Sequence, residues 1–126
     1  MHLISLLLYA TTMSGLAAPA AAQGAPSMDP AVVNPKTAHI KLENDRVRVI
    51  DAVLQPGDKE QMHSHPAYVI YVVSGGKVRN HLADGTTTES EFVAGQTIFR
   101  DPLTHWAENI DTTTIHVLLV EIKDQR

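Results

Sequence analysis

Short apolar runs alternating with polar residues dominate the chain from His39 onward. No segment in this region repeats its apolar residues with the 3.6-residue period of a helix, and the runs are rich in Val, Ile, Thr, Tyr and Phe. Glycine, proline, aspartate and asparagine separate the runs. The pattern predicts strands over residues 39–43, 46–54, 59–63, 68–73, 76–82, 87–93, 96–100, 104–109 and 114–122.

Strands that are this short and this closely spaced are typical of an antiparallel sandwich or barrel. Asp84 and Gly85 form a two-residue hairpin signal between two of the runs. A flat sheet would leave its edges unpaired and one apolar face exposed, and closure into a double-sheet roll removes both problems. The predicted fold class is therefore all-β, an antiparallel jelly-roll β-barrel. The strand 114–122 is apolar on both faces and is expected well inside a sheet.

The first 22 residues differ from the rest of the chain. The apolar run LISLLLYA is too short to span a bilayer, and a tract of small residues follows it. Ala20-Ala21-Ala22 gives an A-x-A cleavage pattern before Gln23, although no Lys or Arg precedes the apolar run. We predict a secretory signal peptide over residues 1–22, a periplasmic or secreted protein, and no membrane association after removal of the signal.

Three prolines lie between this segment and the first predicted strand, at Pro26, Pro30 and Pro35. Proline cannot donate a hydrogen bond to a strand ladder, so residues 23–38 are predicted to be an extended, disordered leader. Residues 39–126 then form one domain, because 126 residues suffice for one domain and not for two.

Composition narrows the possible functions. The chain has no cysteine, which excludes disulfides and thiolate metal ligands. A net charge of −4 with interspersed charges gives no basic surface for nucleic acid. The aromatic content of 5% also disfavours stacking on single strands.

Paired histidines provide the clearest chemical signal. His63 and His65 are two apart, so on a strand they point to the same side, about 6.5–7 Å apart along the chain. A third histidine on a neighbouring strand, His105, can complete a face of three nitrogens around one cation. The opposite side of the cation would stay open for water or substrate. We therefore predict a metal site formed by His63, His65 and His105.

Spacing around these histidines resembles the two motifs of the cupin superfamily. The first motif is matched by Gly57, His63, His65 and Gly76, and the position of its glutamate falls on Val69. The second is matched by Gly95, Pro102, His105 and Asn109, with one extra residue before the proline and without the second glycine. The resemblance covers roughly residues 40–122, nearly the whole of the predicted domain.

This resemblance implies a small single-domain cupin barrel that forms a homodimer and binds a small molecule. It also implies one divalent transition metal, with Zn, Fe, Ni and Cu as the candidates. The reaction stays open, with oxygenase-like and isomerase-like chemistry both possible, because cupins have many activities. The alternative is a non-catalytic small-molecule-binding or structural cupin whose metal site has decayed.

Absence of the motif glutamate changes the expected charge of the site. With an apolar residue in its place, a dication bound by neutral imidazoles would attract an anionic ligand. Ligation by imidazole alone also favours Zn, Cu, Fe or Ni over Mn or Mg. Glu60 precedes His63 by three residues, so strand alternation points it to the opposite face unless a bulge intervenes.

Three residues are predicted to bind substrate: Tyr71, Gln61 and Arg100. Tyr71 shares strand parity with Val69, so if Val69 occupies the interior, Tyr71 does too, and its hydroxyl would be a donor there. The alternative for Tyr71 is a half-buried strand aromatic. Arg100 would bind an acidic substrate or, alternatively, remain solvated at a strand end.

Overall fold

The computed structural model describes residues 14–15 and 26–124. The predicted signal peptide lies outside these residues, except for positions 14 and 15. The described part contains one short helix, α1 (Pro30–Val33), and nine strands: β1 (Ala38–Glu43), β2 (Val47–Leu54), β3 (His63–His65), β4 (Tyr68–Ser74), β5 (Gly76–Leu82), β6 (Thr87–Phe92), β7 (Thr97–Arg100), β8 (Leu103–Asn109) and β9 (Ile115–Ile122). None of its helices combines the length and apolar character needed to cross a bilayer.

The strands form two sheets in which every pairing is antiparallel. One sheet has the order β1-β2-β9-β4-β7 and the other has the order β3-β8-β5-β6. The predicted all-β antiparallel fold is confirmed. β9 lies in the middle of the larger sheet, as its apolar sequence predicts, and its inward side chains alternate with outward ones.

Both sheets contribute to one buried core. Ile50 and Val72 come from the five-stranded sheet, and Val78 and Ala107 come from the four-stranded sheet. Removing this apolar surface from water is the main stabilising contribution to the fold. Core residues from both sheets, among them Ile70 and Val78, also line the cavity that contains the histidines.

The predicted strand 59–63 is wrong in its bounds. Within it, Lys59 pairs through an isolated bridge to Glu108, residues 60–62 belong to no strand, and His63 begins β3, the strand that contains the histidine pair. β3 pairs with β8 so that His63 is opposite His105. Three residues separate Lys59 from His63, whereas two separate Glu108 from His105, so the segment carries one extra residue. It therefore has the character of a β-bulge.

Residues 29–34 form structure where the sequence predicted a disordered leader. Asp29 caps α1, since its Oδ1 accepts a hydrogen bond of 2.9 Å from the Ala31 amide, and Pro30 occupies the first turn. Proline is favoured there because its missing N–H would have no partner in a helix anyway. Asn34 is buried beyond the end of the helix. The leader prediction therefore fails here, because the first-turn proline is compatible with a helix.

Candidate metal centre

Three histidines converge inside the barrel near β3 and β8. His63, His65 and His105 are 1%, 5% and 7% exposed, and one ring nitrogen from each lies within 4.8 Å of the other two. The ring of His63 lies 4.7 Å from that of His65 and 4.8 Å from that of His105, measured between centroids. The structure thus brings together the three residues predicted to bind a metal.

Each of these imidazoles is held through its Nδ1 atom. Nδ1 of His65 donates to Glu121 Oε1 at 2.7 Å, and Nδ1 of His105 donates to Asn80 Oδ1 at 3.2 Å. Nδ1 of His63 donates to the carbonyl oxygen of Gln61 at 2.8 Å. A proton on Nδ1 leaves the lone pair on Nε2, which is the arrangement that metal-binding histidines use.

The Nε2 atom of His105 is buried and has no hydrogen-bond partner. A buried polar atom without a partner is costly, and most such atoms in folded proteins are satisfied. A bound cation would supply the missing partner to this lone pair. The donor set therefore fits a transition metal, which imidazole nitrogens bind readily.

Burial also favours the neutral form of the histidines. Desolvation lowers the pKa of His63 to about 4, an effect that the hydrogen bond to Gln61 opposes and the neighbouring His65 strengthens. Desolvation, followed by the proximity of His63 and His65, lowers the pKa of His105 to about 3. Because a metal competes with protons for imidazole, both rings are ready to bind one at neutral pH.

Three charged side chains, Glu121, Arg48 and Asp29, form a chain of contacts that begins at Nδ1 of His65. Glu121 is 3% exposed, and its Oε2 accepts a hydrogen bond of 2.8 Å from Nε of Arg48. Arg48 also pairs with Asp29, next to α1. The carboxylate of Glu121 orients His65 and increases its basicity, as second carboxylates do at many metal sites. Glu121 was not predicted, although a lone acid at an inward position of an apolar strand was a usable signal.

The histidines lie at one side of a cavity of about 70 Å³. A single water needs roughly 10–15 Å³ measured in this way, so a small ligand fits beside a cation. Much of the wall is apolar, and it includes Ile70, Phe92, Leu103 and Val117. The polar groups on the wall, apart from the three histidines, are Glu60, Tyr68, Asn80 and Arg100.

Glu60 contradicts the expectation from strand alternation. Its Oε2 lies 3.6 Å from Nε2 of His63, its side chain is 13% exposed, and it lines the cavity. The extra residue between Lys59 and His63 reverses the alternation, so residues three apart face the same side. Desolvation raises the pKa of Glu60 to about 8, partly offset by a hydrogen bond from the Ala107 amide.

The three residues predicted to bind substrate have different positions. Arg100 lines the cavity. Gln61 is exposed, and its backbone rather than its side chain contributes, by accepting the hydrogen bond from His63. Tyr71 is 45% exposed on the outer face of β4, so its predicted interior position is wrong.

Tyr68 is the tyrosine that faces the cavity. It is 2% exposed, and its ring stacks on His65 with the centroids 4.4 Å apart. Desolvation raises the pKa of its hydroxyl to about 12, although Arg100 opposes the shift, so the group remains a donor. Along β4 the even-numbered residues from Tyr68 face inward, so Ile70 lines the cavity and Val69 lies on the outer face. The position of the motif glutamate is therefore apolar both at Val69 and at the inward-facing Ile70.

Two other strand histidines lie outside the barrel. His81 stacks on Trp106, with the centroids 3.6 Å apart and the rings nearly parallel, and its Nε2 lies 3.2 Å from Glu108. His116 pairs with Asp51 on the five-stranded sheet. Neither belongs to the cluster of three histidines.

Comparison with known proteins identifies the fold. No protein-family model and no curated protein matches the sequence. A cupin domain from Bordetella pertussis Tohama I has a TM-score of 0.64 and 24% identity, over 69% of this chain and 92% of that one. An RmlC-like cupin family protein with a double-stranded β-helix fold, from Methanocaldococcus jannaschii, gives 0.54 and 15%, over 69% and 81%.

A third similar structure is Bacillus subtilis oxalate decarboxylase, a protein with Mn(II) centres. Its TM-score is 0.50 at 23% identity, over 65% of this chain and 23% of that one. The topology and these similarities define the class: the chain has the cupin fold, a double-stranded β-helix. Within this fold the described residues include a buried cluster of three histidines that is compatible with metal binding.

Proposed function

We propose that this protein is a secreted cupin that binds one divalent transition metal through His63, His65 and His105 and acts on a small molecule. The observation that carries the proposal is the shared arrangement of the three rings, each with an oxygen acceptor beside Nδ1, which lets Nε2 keep its lone pair for a metal. The buried, unpartnered Nε2 of His105 supports it further. Imidazole ligands favour Zn, Fe, Ni or Cu.

The cavity residues have distinct roles in this proposal. When bound, the metal would supply Lewis-acid chemistry or activation of water or dioxygen. Arg100 provides the positive charge that attracts an anionic substrate, and the hydroxyl of Tyr68 donates a hydrogen bond to it. The apolar wall excludes water and so strengthens both interactions. This arrangement suits oxygenase-like or isomerase-like chemistry on a small acid.

Metal analysis tests the proposal. The protein is purified without a histidine tag, treated with a chelator, and reloaded with Zn²⁺, Fe²⁺, Ni²⁺ or Cu²⁺. We expect one equivalent of metal by mass spectrometry and a higher melting temperature, because a ligand that binds only the folded state stabilises it. Substoichiometric metal together with an unchanged melting temperature would leave a non-catalytic or structural cupin.

We also propose that the protein is a homodimer that pairs through the outer face of its five-stranded sheet. Much of this face is apolar, with Val49, Val69, Leu118 and Val120 along neighbouring strands and Phe99, 59% exposed, near one edge. The Asp51–His116 pair lies on the same face. Large exposed apolar patches mark interaction sites, and twofold dimers are the commonest assemblies.

Substitution within this face tests the dimer. Phe99→Glu is expected to convert a dimer into a monomer, because it would bury an unpaired charge at the interface. Light scattering coupled to size-exclusion chromatography measures the mass. Val32→Glu alters a residue of α1 that is 62% exposed and is expected to leave the dimer intact. A monomeric parent protein, or equal behaviour of the two variants, contradicts the proposed interface.

A further inference from the structure

Glu60 is the one acidic side chain that the described structure places in the cavity beside the histidines. Its position depends on the loop before β3. The amide of Glu60 donates to the carbonyl oxygen of Ala107 at 2.9 Å, and Lys59 bridges Glu108. Lys59 and Glu108 lie on the outside of the barrel, and their side chains approach to 3.8 Å. The next residue, Glu60, therefore turns inward.

The distance from Glu60 to His63 suits two ligands of one ion. Nitrogen and oxygen ligands lie about 2.0–2.2 Å from Zn²⁺, so two adjacent ligands at tetrahedral or octahedral angles are roughly 3.0–3.5 Å apart. Oε2 of Glu60 and Nε2 of His63 are 3.6 Å apart. A movement of about 0.1–0.6 Å, which side-chain rotation provides, brings them to such a separation.

No lysine or arginine side chain in residues 26–124 forms an ion pair with this carboxylate, although Arg100 lines the same cavity. Among the described residues, the one ion-pair contact of Glu60 is with His63, and that ring carries no charge when its Nε2 offers a lone pair to a metal. An ionised carboxylate that is buried without a counter-charge is strongly disfavoured. A dication at the three histidines would supply that counter-charge, and Glu60 would reduce the net charge of the site from +2 to +1.

We propose that Glu60 is the fourth protein ligand of this metal and replaces, from upstream of the histidine pair, the acid that is absent at Val69 and Ile70. The inference rests on the proposed metal site and specifies its ligand set as three imidazoles and one carboxylate. A carboxylate oxygen makes the site more accepting of Mn²⁺ and Fe²⁺ than imidazole alone would be.

Substitution of Glu60 by glutamine tests the ligation, because it retains the shape and removes the charge. The probe is Co²⁺, whose visible d–d absorption reports the coordination number and ligands. In Glu60→Gln we expect a changed cobalt spectrum and at least about 10-fold weaker Co²⁺ binding by calorimetry. The loss for Mn²⁺ is expected to be larger. Glu108→Gln, on the neighbouring outer face, is the matched control and is expected to change neither.

A second variant separates ligation from an effect on folding. Glu60→Ala opens space beside the metal, and added acetate is expected to restore the wild-type cobalt spectrum. A wild-type spectrum in Glu60→Gln, or no response of Glu60→Ala to acetate, overturns the role of Glu60 while the three-histidine site stands. A wild-type protein that binds no Co²⁺ overturns both proposals.

Discussion

Replacement of His105 by alanine is expected to abolish stoichiometric metal binding. The variant loses one of the three imidazoles, the one whose residue lies opposite His63 in the β3–β8 ladder. Loss of groups that merely orient a ligand costs 10–100-fold in affinity, so loss of a ligand is expected to weaken the Kd at least about 100-fold. Calorimetric titration of the chelator-treated protein with Zn²⁺ and Ni²⁺ measures the change.

Two histidines on the outside of the barrel provide the control for this experiment. His81 and His116 lie on the outer faces of the two sheets, each beside an acidic side chain. His81→Ala and His116→Ala are expected to retain the wild-type Kd and one equivalent of metal. Circular dichroism verifies that His105→Ala remains folded. Undiminished binding in folded His105→Ala would remove the basis of the proposed site.

Replacement of Arg48 by methionine is expected to destabilise the metal-free protein by about 3–5 kcal/mol. The Arg48 side chain is 12% exposed and binds the carboxylate of Glu121 through two nitrogens, each at 2.8 Å from Oε2. Methionine fills similar space but leaves Glu121 buried with only the hydrogen bond from His65. Equilibrium unfolding in urea measures the loss of stability.

Comparison with an exposed ion pair distinguishes burial from charge. Lys123 and Glu43 are 36% and 44% exposed and lie 2.8 Å apart, and Lys123→Met is expected to cost less than about 1 kcal/mol. Adding Glu121→Gln to Arg48→Met is expected to recover part of the loss, because no uncompensated charge remains. A cost for Arg48→Met as small as that for Lys123→Met would contradict the supporting role of this pair.

Much of the barrel follows from patterns that are local in the sequence. The apolar β9 and the Asp84-Gly85 turn each act within a few residues, and the structure has the strand and the hairpin where they were predicted. The pair His63 and His65 was predicted in the same way, since a period of two is the only information needed to place both on one side.

The wrong predictions of side-chain direction fall where the inward–outward alternation of one strand does not continue into the next segment. Tyr71 was predicted inside on the condition that Val69 is inside, but the inward residues of β4 are Tyr68 and Ile70. β3 and β4 belong to different sheets, so the alternation of β3 does not continue into β4. Glu60 was predicted to face outward because regular alternation was assumed from His63 back to Glu60. The extra residue that breaks this alternation is visible only in the pairing with β8. Side-chain direction is set by ladder register, which the sequence does not specify at bulges and corners.

The segment before the first strand makes three contacts with the barrel. Asn34 accepts a hydrogen bond of 2.6 Å from the Gln61 amide, Asp29 pairs with Arg48, and the Met28 carbonyl accepts from Ser64. Cleavage before Gln23 would retain all three contacts. A protein shortened to begin at His39 would lose them together, and with them the tethers that hold His63 and Glu121 in place. The smallest self-sufficient unit therefore begins near Met28, about ten residues before the barrel itself.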